Sequence, residues 1–141
     1  MTGRRASGGQ PRDAGNAAVE LAPVAIVLIS FLILIIIAGR IITAQLAVSD
    51  AAHDAARQAS IARSPAAAQA AADQSALSAL TANHLHCAPG VTVDTGGFAV
   101  PVGQPAQVTV TVTCQVQLPA LASSRTVTAT ASSPLDIFRA R

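Results

Sequence analysis

Residues 21–39 read LAPVAIVLISFLILIIIAG, an apolar run with no charged side chain and one hydroxyl, that of Ser30. These nineteen residues, wound as a helix, rise about 28 Å, close to the hydrocarbon thickness of a bilayer. Thirteen of them are Leu, Ile, Val or Phe, which together favour insertion by roughly 4–8 kcal/mol. The run therefore predicts a transmembrane helix, with Pro23 expected in its first turn, where a missing N–H costs little.

Two other structures fit an apolar run: the core helix of a soluble protein and a Sec signal peptide that is removed. A chain of 141 residues has too small a core to enclose so apolar a rod. A signal peptide needs an apolar region of about 7–15 residues followed by a small-x-small cleavage site. Here the run is longer and is followed by Gly39-Arg40-Ile41-Ile42. We therefore expect the helix to remain on the mature protein.

The charges on either side of the run predict its orientation. Residues 1–15 form a leader with three Arg and one Asp, whereas Arg40 beyond the run is balanced by Asp50 and Asp54. Positive charge stays on the cytoplasmic side of a membrane. We predict a single-pass protein of the cell membrane, with a cytoplasmic N-terminus and a C-terminal domain outside the cytoplasm.

The junction between the leader and the apolar run reads DAGNAAVELAP over residues 13–23. Its basic leader, Gly15 and Glu20 resemble the processing site of type IV pilin-like precursors, which a prepilin peptidase cuts after the glycine. A cut there makes Asn16 the new N-terminus, about one helical turn from Glu20. The carboxylate would lie near the positive end of the helix dipole. A purely structural interpretation stays open, in which Gly15 is a linker residue and Glu20 a first-turn acid.

The stretch GNAAVELAPVAIVLISFLILIIIAGRIITAQLAVSDAAHDAARQASIARSP, residues 15–65, resembles the N-terminal domain of TadE-like proteins. These belong to the tight-adherence (Tad/Flp) pilus systems, and TadG is a relative of similar layout. The resemblance covers roughly residues 12–65 and rests on the junction, the apolar run, Gly39-Arg40 and the Ala/Asp/Arg stretch 47–63. One departure is Asn16, where many type IV pilins have Phe.

The resemblance implies a minor pilin or pseudopilin that helps to assemble a pilus. Its expected partners are the lipid bilayer, a prepilin peptidase and other pilin-like or Tad assembly subunits. The runner-up is an uncleaved membrane anchor whose outer domain binds an envelope partner. The fate of the leader distinguishes the two.

The residues after the membrane helix predict an α+β fold. Residues 41–63 contain no helix breaker, so the long helix should extend outward; its Ala47, Ala51, Ala55 and Ala59 form a stripe of small residues. That stripe is either a packing face for other subunits or simply a good helix-forming sequence. Ser64-Pro65 predicts an N-cap and a second, short helix to Thr81. The predicted division is a leader, 1–15, a TadE-like helix, 16–63, and an extracytoplasmic region, 64–141.

Alternating residues predict a small antiparallel sheet in the last third of the chain. The clearest strand is 107–118, where Val108, Val110, Val112, Cys114 and Val116 share one face. Residues 90–94 and 125–131 are its expected partners, with turns at Gly96-Gly97 and between Pro101 and Pro105.

Cys87 and Cys114 are the two cysteines of the chain, and both are predicted to lie in an oxidising compartment. We therefore expect one disulfide, which would add roughly 3–4 kcal/mol of stability in the chain-entropy model. The alternative is a metal site built from His84, His86 and the Cys87 thiolate, but no nearby carboxylate completes it. We expect no metal and no cofactor.

Enzymatic and nucleic-acid-binding functions have no support in the sequence. A set of serine, histidine and aspartate can be drawn around His53 and Asp54, but no nucleophile elbow, phosphate loop or zinc-protease helix accompanies it. The net charge of +2 and the aromatic content of 2% give no basic, stacking surface for nucleic acid. We expect a structural protein with no small-molecule substrate.

Overall fold

The computed structural model describes the backbone of residues 14–118 and 123–138 and the side chains of residues 21–117 and 123–138. Over these residues the chain forms helices α1 (Ala14–Ile61) and α2 (Pro65–Ala82), strands β1 (Gly90–Asp94), β2 (Gln107–Leu118) and β3 (Ser123–Pro134), and a 3-10 helix (Gly96–Ala99) between β1 and β2. The strands form an antiparallel sheet in the order β1-β2-β3. The predicted α+β fold is confirmed.

Helix α1 begins seven residues before the apolar run, which changes the position of Pro23. Because the helix begins at Ala14, Pro23 lies in its interior and not in its first turn, so that prediction was wrong. The helix starts two residues before the predicted TadE-like helix of residues 16–63. The proline ring leaves the carbonyl of residue 19 without its usual donor, a defect that membrane helices tolerate.

The chain forms two compact units, the first ending at Ile36 and the second beginning at Ile37. In the first unit, every side chain from Leu21 to Ile36 is exposed. The exposed fraction of its large apolar side chains runs from 46% at Ile33 to 67% at Val27. The alternative of a buried core helix is therefore wrong for this stretch.

Helix α2 starts as Ser64-Pro65 predicts. Ser64 is extended (φ −145°, ψ 156°), and its Oγ accepts a hydrogen bond from the Ala67 N–H at 3.3 Å. Pro65 occupies the first turn, where it has no intrahelical bond to lose. The helix ends one residue later than predicted, at Ala82, and Asn83 caps it by donating to the Ala79 carbonyl.

The sheet follows the predicted alternation. β1 and β2 have the predicted bounds, while β3 extends two residues before and three residues after the predicted 125–131. Val108, Val110, Val112 and Cys114 are buried on one face of β2, as expected. On the other face hydroxyl pairs join β2 to β3, with 2.9 Å between Thr109 Oγ1 and Ser132 Oγ. The predicted turn at Gly96-Gly97 is part of the 3-10 helix.

The core of the second unit is built almost entirely from small side chains. Its fully buried members include alanines of α1 and α2 and valines of β2; the largest are Leu80, Val48, Val108, Val110, Val112 and Cys114. The predicted stripe of Ala47, Ala51, Ala55 and Ala59 belongs to this buried side of α1. The chain's own fold thus covers the stripe, which leaves it unavailable as a packing face for other subunits.

Two side-chain hydrogen bonds tie the helices to the edges of the sheet. Ser133 Oγ of β3 donates to Ser60 Oγ near the end of α1 at 3.1 Å. Gln69 Nε2 of α2 donates to the Val91 carbonyl of β1 at 3.2 Å. The second bond also covers part of the outer edge of β1, where unpaired backbone groups would otherwise face solvent.

Candidate functional site

The exposed stretch of α1 is the surface that sets this molecule apart from a soluble domain. Leu21–Ile61 is long and apolar enough to cross a membrane, with a mean hydropathy of 3.1 in a window of which no residue is buried. Its one hydroxyl within residues 21–39 is satisfied inside the helix, because Ser30 Oγ donates to the Ile26 carbonyl at 2.8 Å. Thr43 Oγ1 likewise donates to the Gly39 carbonyl at 3.1 Å. These bonds within the helix satisfy the two hydroxyl donors, which would find no hydrogen-bond acceptor in lipid.

The predicted processing residues lie at the start of the same helix. Gly15 and Asn16 are the second and third residues of α1, and Glu20 follows within its first two turns. The side chains of Asn16 and Glu20 lie outside the described part of the structure. Cleavage after Gly15 and a partner for Glu20 therefore stay predictions.

The two cysteines form the predicted disulfide. Cys87 follows α2 and Cys114 lies in β2, with their Cα atoms 5.9 Å apart and their sulfurs bonded. The bond fixes the segment between α2 and β1 to the central strand of the sheet. Because Cys87 Sγ is bonded to Cys114, it offers no thiolate to a metal, which removes the ligand on which the His84/His86 alternative depended.

The remaining residues considered for chemistry do not come together. His53 and Asp54 are exposed on α1, while His84 and His86 lie in the segment after α2. His84 has a positive φ of 57°, and its backbone N–H donates to the Thr81 carbonyl in the turn that ends α2. Among the residues whose side chains are described, no three His, Cys, Asp or Glu side chains form a group able to hold a metal ion.

A groove that the sequence does not predict lies on the second unit. We call it the loop groove; its volume is about 540 Å³, and it is lined by Arg63–Pro65, Thr95–Val102, Gln104, Ala106 and Leu135–Ile137. Gly97 forms part of its wall by close approach: a Cβ there would lie 2.2 Å from the Gln107 carbonyl oxygen. The groove brings together three segments that are far apart in the chain, so no local sequence pattern predicts it.

Comparison with known families decides the relationship of the N-terminal part. Residues 15–57 match the family model described as TadE-like protein. The predicted resemblance is thereby confirmed over that segment, which is under a third of the 141 residues. No curated protein and no solved structure matches the chain.

The TadE-like segment contains the apolar stretch and most of the buried side of α1. It begins at Gly15 and ends at Arg57, four residues before the end of α1. The family is a structural one of pilus assembly, and the segment together with its membrane-length helix fits a Tad pilus-associated membrane protein. The disulfide and the loop groove lie outside the segment.

Proposed function

We propose that this chain is a TadE-like minor pilin or pseudopilin of a Tad/Flp pilus, cleaved between Gly15 and Asn16 by a prepilin peptidase. The observation that carries the proposal is the TadE-like match, which begins at Gly15 and runs through the apolar stretch of α1. The role is structural: the helix holds the protein in the bilayer and the folded unit meets other subunits. The proposal includes no catalytic step, cofactor or small-molecule substrate.

The position of Gly15 at the start of α1 makes the Gly15–Asn16 peptide bond accessible to a peptidase at a low cost in free energy. The first four N–H groups of a helix have no intrahelical acceptor, so the first turn opens more easily than later turns. Glycine lowers helix stability by about a further 1 kcal/mol relative to alanine. A peptidase can therefore unwind residues 14–16 without disturbing the apolar stretch that follows.

Cleavage would create a charged pair at the membrane surface. The new amine of Asn16 would lie about one turn from Glu20. A carboxylate at the bilayer edge is unfavourable unless it has a partner. The amine supplies one, either in the same chain or in a neighbouring subunit, and the second arrangement would set the register between subunits.

The charges and the disulfide both support the proposed location. The Arg-rich leader favours a cytoplasmic N-terminus. A Cys87–Cys114 disulfide is in keeping with an oxidising compartment for the folded unit. Both features support a protein that crosses the cell membrane once and carries its folded unit outside, where it can join a pilus.

The test compares two glycines of the precursor. Gly15→Leu should block the cut, so that the full-length chain accumulates and pilus assembly is lost. Gly9→Leu, a matched change within the leader, should leave processing and assembly intact. Both variants are expressed in cells with an active prepilin peptidase, and chain length is followed on gels beside pilus yield. Normal processing and piliation of Gly15→Leu would contradict the proposal; a wild-type chain that keeps its leader would favour the uncleaved anchor.

A further inference from the structure

The two outer edges of the sheet differ in length and in how they are covered. β1 has 5 residues, and the Gln69 side chain donates to the Val91 carbonyl on its outer edge. β3 has 12 residues, and among the described residues no strand pairs with its outer edge. A long open edge presents a row of backbone donors and acceptors with which another chain can pair. The outer edge of β3 is therefore the larger open hydrogen-bonding surface of the two.

The ladder between β2 and β3 determines which residues of β3 face outward. The Leu135 N–H donates to the Ala106 carbonyl at 2.9 Å, and these two residues continue the β2–β3 register by one pair. Hydrogen-bonded and non-hydrogen-bonded pairs alternate in an antiparallel ladder. The odd-numbered residues of β3 therefore direct their N–H and C=O groups to β2. The even-numbered residues direct theirs away from the sheet; between residues 126 and 132 these are Thr126, Thr128, Thr130 and Ser132.

The sequence of β3 leaves this edge open to pairing. Pro134 is even-numbered, so its missing N–H falls on the outer edge, the side on which a strand tolerates proline. From Thr126 to Ser132 the strand has no proline and no charge, and each residue has one partner in β2, so there is no bulge. Natural edges are usually blocked by one of these features. The outward residues are all exposed, and no described backbone group outside the sheet bonds to them.

We infer that the outer edge of β3 binds an extended segment of a different protein chain, which joins the sheet as a further strand. An extended polypeptide carries donors and acceptors at the spacing of this edge, about 6.8 Å between every second residue. From Thr126 to Ser132 the edge runs about 20 Å, which accommodates a segment of about seven residues. The inference goes beyond the proposed function and holds whether or not the leader is removed.

The side chains of β3 specify the chemistry of this segment. Val127 and Ala131 have 8% and 5% of their surfaces exposed, and apolar side chains beside them on the same face would cover the remainder. The opposite face favours hydroxyl side chains, because a hydroxyl pair already joins β2 to β3 there, with 3.1 Å between Thr111 Oγ1 and Thr130 Oγ1. Arg125 is exposed and, within the described side chains, has no ion-pair partner within 4.0 Å. It favours a carboxylate opposite it.

A second copy of the chain fits this edge poorly. β3 contains no Asp or Glu, so the β3 edge of another copy offers no carboxylate to Arg125. By the same alternation only Val91 and Val93 of β1 face outward, and Gln69 already bonds the Val91 carbonyl. The complementary strand therefore belongs to another protein.

A synthetic peptide tests the site on the full chain in detergent. The probe is Val-Thr-Val-Thr-Val-Thr-Asp with an N-terminal fluorescein, designed to pair antiparallel to residues 125–131 so that its Asp meets Arg125. Its Thr nitrogens then face β3 and its Val nitrogens face away. By fluorescence anisotropy we expect saturable binding, which N-methylation of the Thr residues abolishes and N-methylation of the Val residues leaves intact. No saturable binding, or equal binding of the two methylated peptides, would overturn the inference.

Two variants of Thr128 test the same edge from the side of the protein. Thr128→Pro removes an outward N–H and should weaken binding of the unmethylated peptide at least about fivefold. Thr128→Ala keeps that N–H and should bind the peptide as the wild type does. Both variants are compared as chains that keep the Cys87–Cys114 disulfide. Equal affinities of the two variants would contradict the site.

Deuterium exchange then locates the bound peptide. Binding should slow exchange of the Thr126, Thr128 and Thr130 amides, while the Val127 and Ala129 amides, which already bond to β2, should change little. Protection confined to another surface would overturn the inference. So would slow exchange of the outward amides that appears without peptide as the protein concentration rises, because a second copy would then be the occupant.

Discussion

Two stretches of α1 differ in their surroundings although they share one helix. Between Leu21 and Ile36 every side chain is exposed, and most are Leu, Ile, Val or Phe. Between Val48 and Ala59 one side of the helix is buried, and that side is almost all alanine. Large side chains thus face outward where lipid is expected, and small ones face inward where protein packs.

The difference arises because a bilayer and a protein core favour side chains of different size. In a bilayer, each large apolar side chain adds to the free energy of insertion. In a core shared with α2 and β2, small side chains let helix and sheet approach closely, at the cost of a shallow core. The same helical backbone therefore serves two environments. Substitutions in the exposed stretch should weaken membrane insertion, whereas substitutions on the buried side should lower the stability of the folded unit.

The largest effect should come from charge in the exposed stretch. Ile29→Arg with Leu32→Arg should remove roughly 6–8 kcal/mol from the free energy of insertion, about as much as the stretch supplies. The protein should then leave the membrane fraction on alkaline carbonate extraction. Leu77→Arg, which adds charge at an exposed site of the second unit, should stay in the membrane. Retention of the double variant would mean that another segment anchors the chain.

The disulfide should matter to the folded unit and not to the membrane stretch. Reduction with dithiothreitol should lower the free energy of unfolding by roughly 3–4 kcal/mol, because the unfolded chain regains the freedom of the closed loop. Urea unfolding in detergent, followed by circular dichroism, measures the change. Carbonate extraction of the reduced protein should be unaltered. Equal stability of oxidised and reduced protein would contradict a core that depends on this bond.

A larger side chain on the buried side of α1 should destabilise the second unit. Ala55→Leu, at a position with no exposed surface, should cost about 1–3 kcal/mol by overpacking. For a unit of this size that lowers the Tm by several degrees. Gln58→Leu, on the exposed side of the same helix, is the matched control and should change the Tm little. Equal Tm values would show that Ala55 is not packed within its own chain.

The smallest expected effect is at the start of α2. Ser64→Ala removes the acceptor for the Ala67 N–H and should cost about 1 kcal/mol. Ser64→Asp keeps an acceptor at the cap and should retain most of the stability. Urea midpoints of the two variants measure the difference. A midpoint for Ser64→Asp as low as that of Ser64→Ala would show that the cap adds nothing.

The elements that could be predicted have strong local patterns. β2 alternates strictly from residue 107 to residue 118, and Ser64-Pro65 combines an N-cap with a first-turn proline; both elements begin where predicted. β3 is longer than predicted because its Ser-rich ends carry no apolar alternation, and pairing with β2 extends it. Pro23 was wrongly placed in the first turn because the apolar run marks the membrane stretch and not the start of the helix that contains it.

The features that could not be predicted depend on distant segments meeting. From the sequence alone, the alanine stripe is compatible with packing against other subunits and with packing inside its own chain. The structure decides between them, because the rest of the folded unit covers the stripe. The loop groove joins residues near 63, 100 and 136, which are far apart in the chain. Local periodicity contains no information on either.

The most direct test of the central claim is the intact mass of the protein purified, without reduction, from membranes of cells with an active prepilin peptidase. The proposed function predicts a chain that begins at Asn16 and is two hydrogens lighter than its reduced form, since Cys87 and Cys114 are joined. A mass that still includes residues 1–15 would contradict processing and leave an uncleaved membrane anchor as the better account.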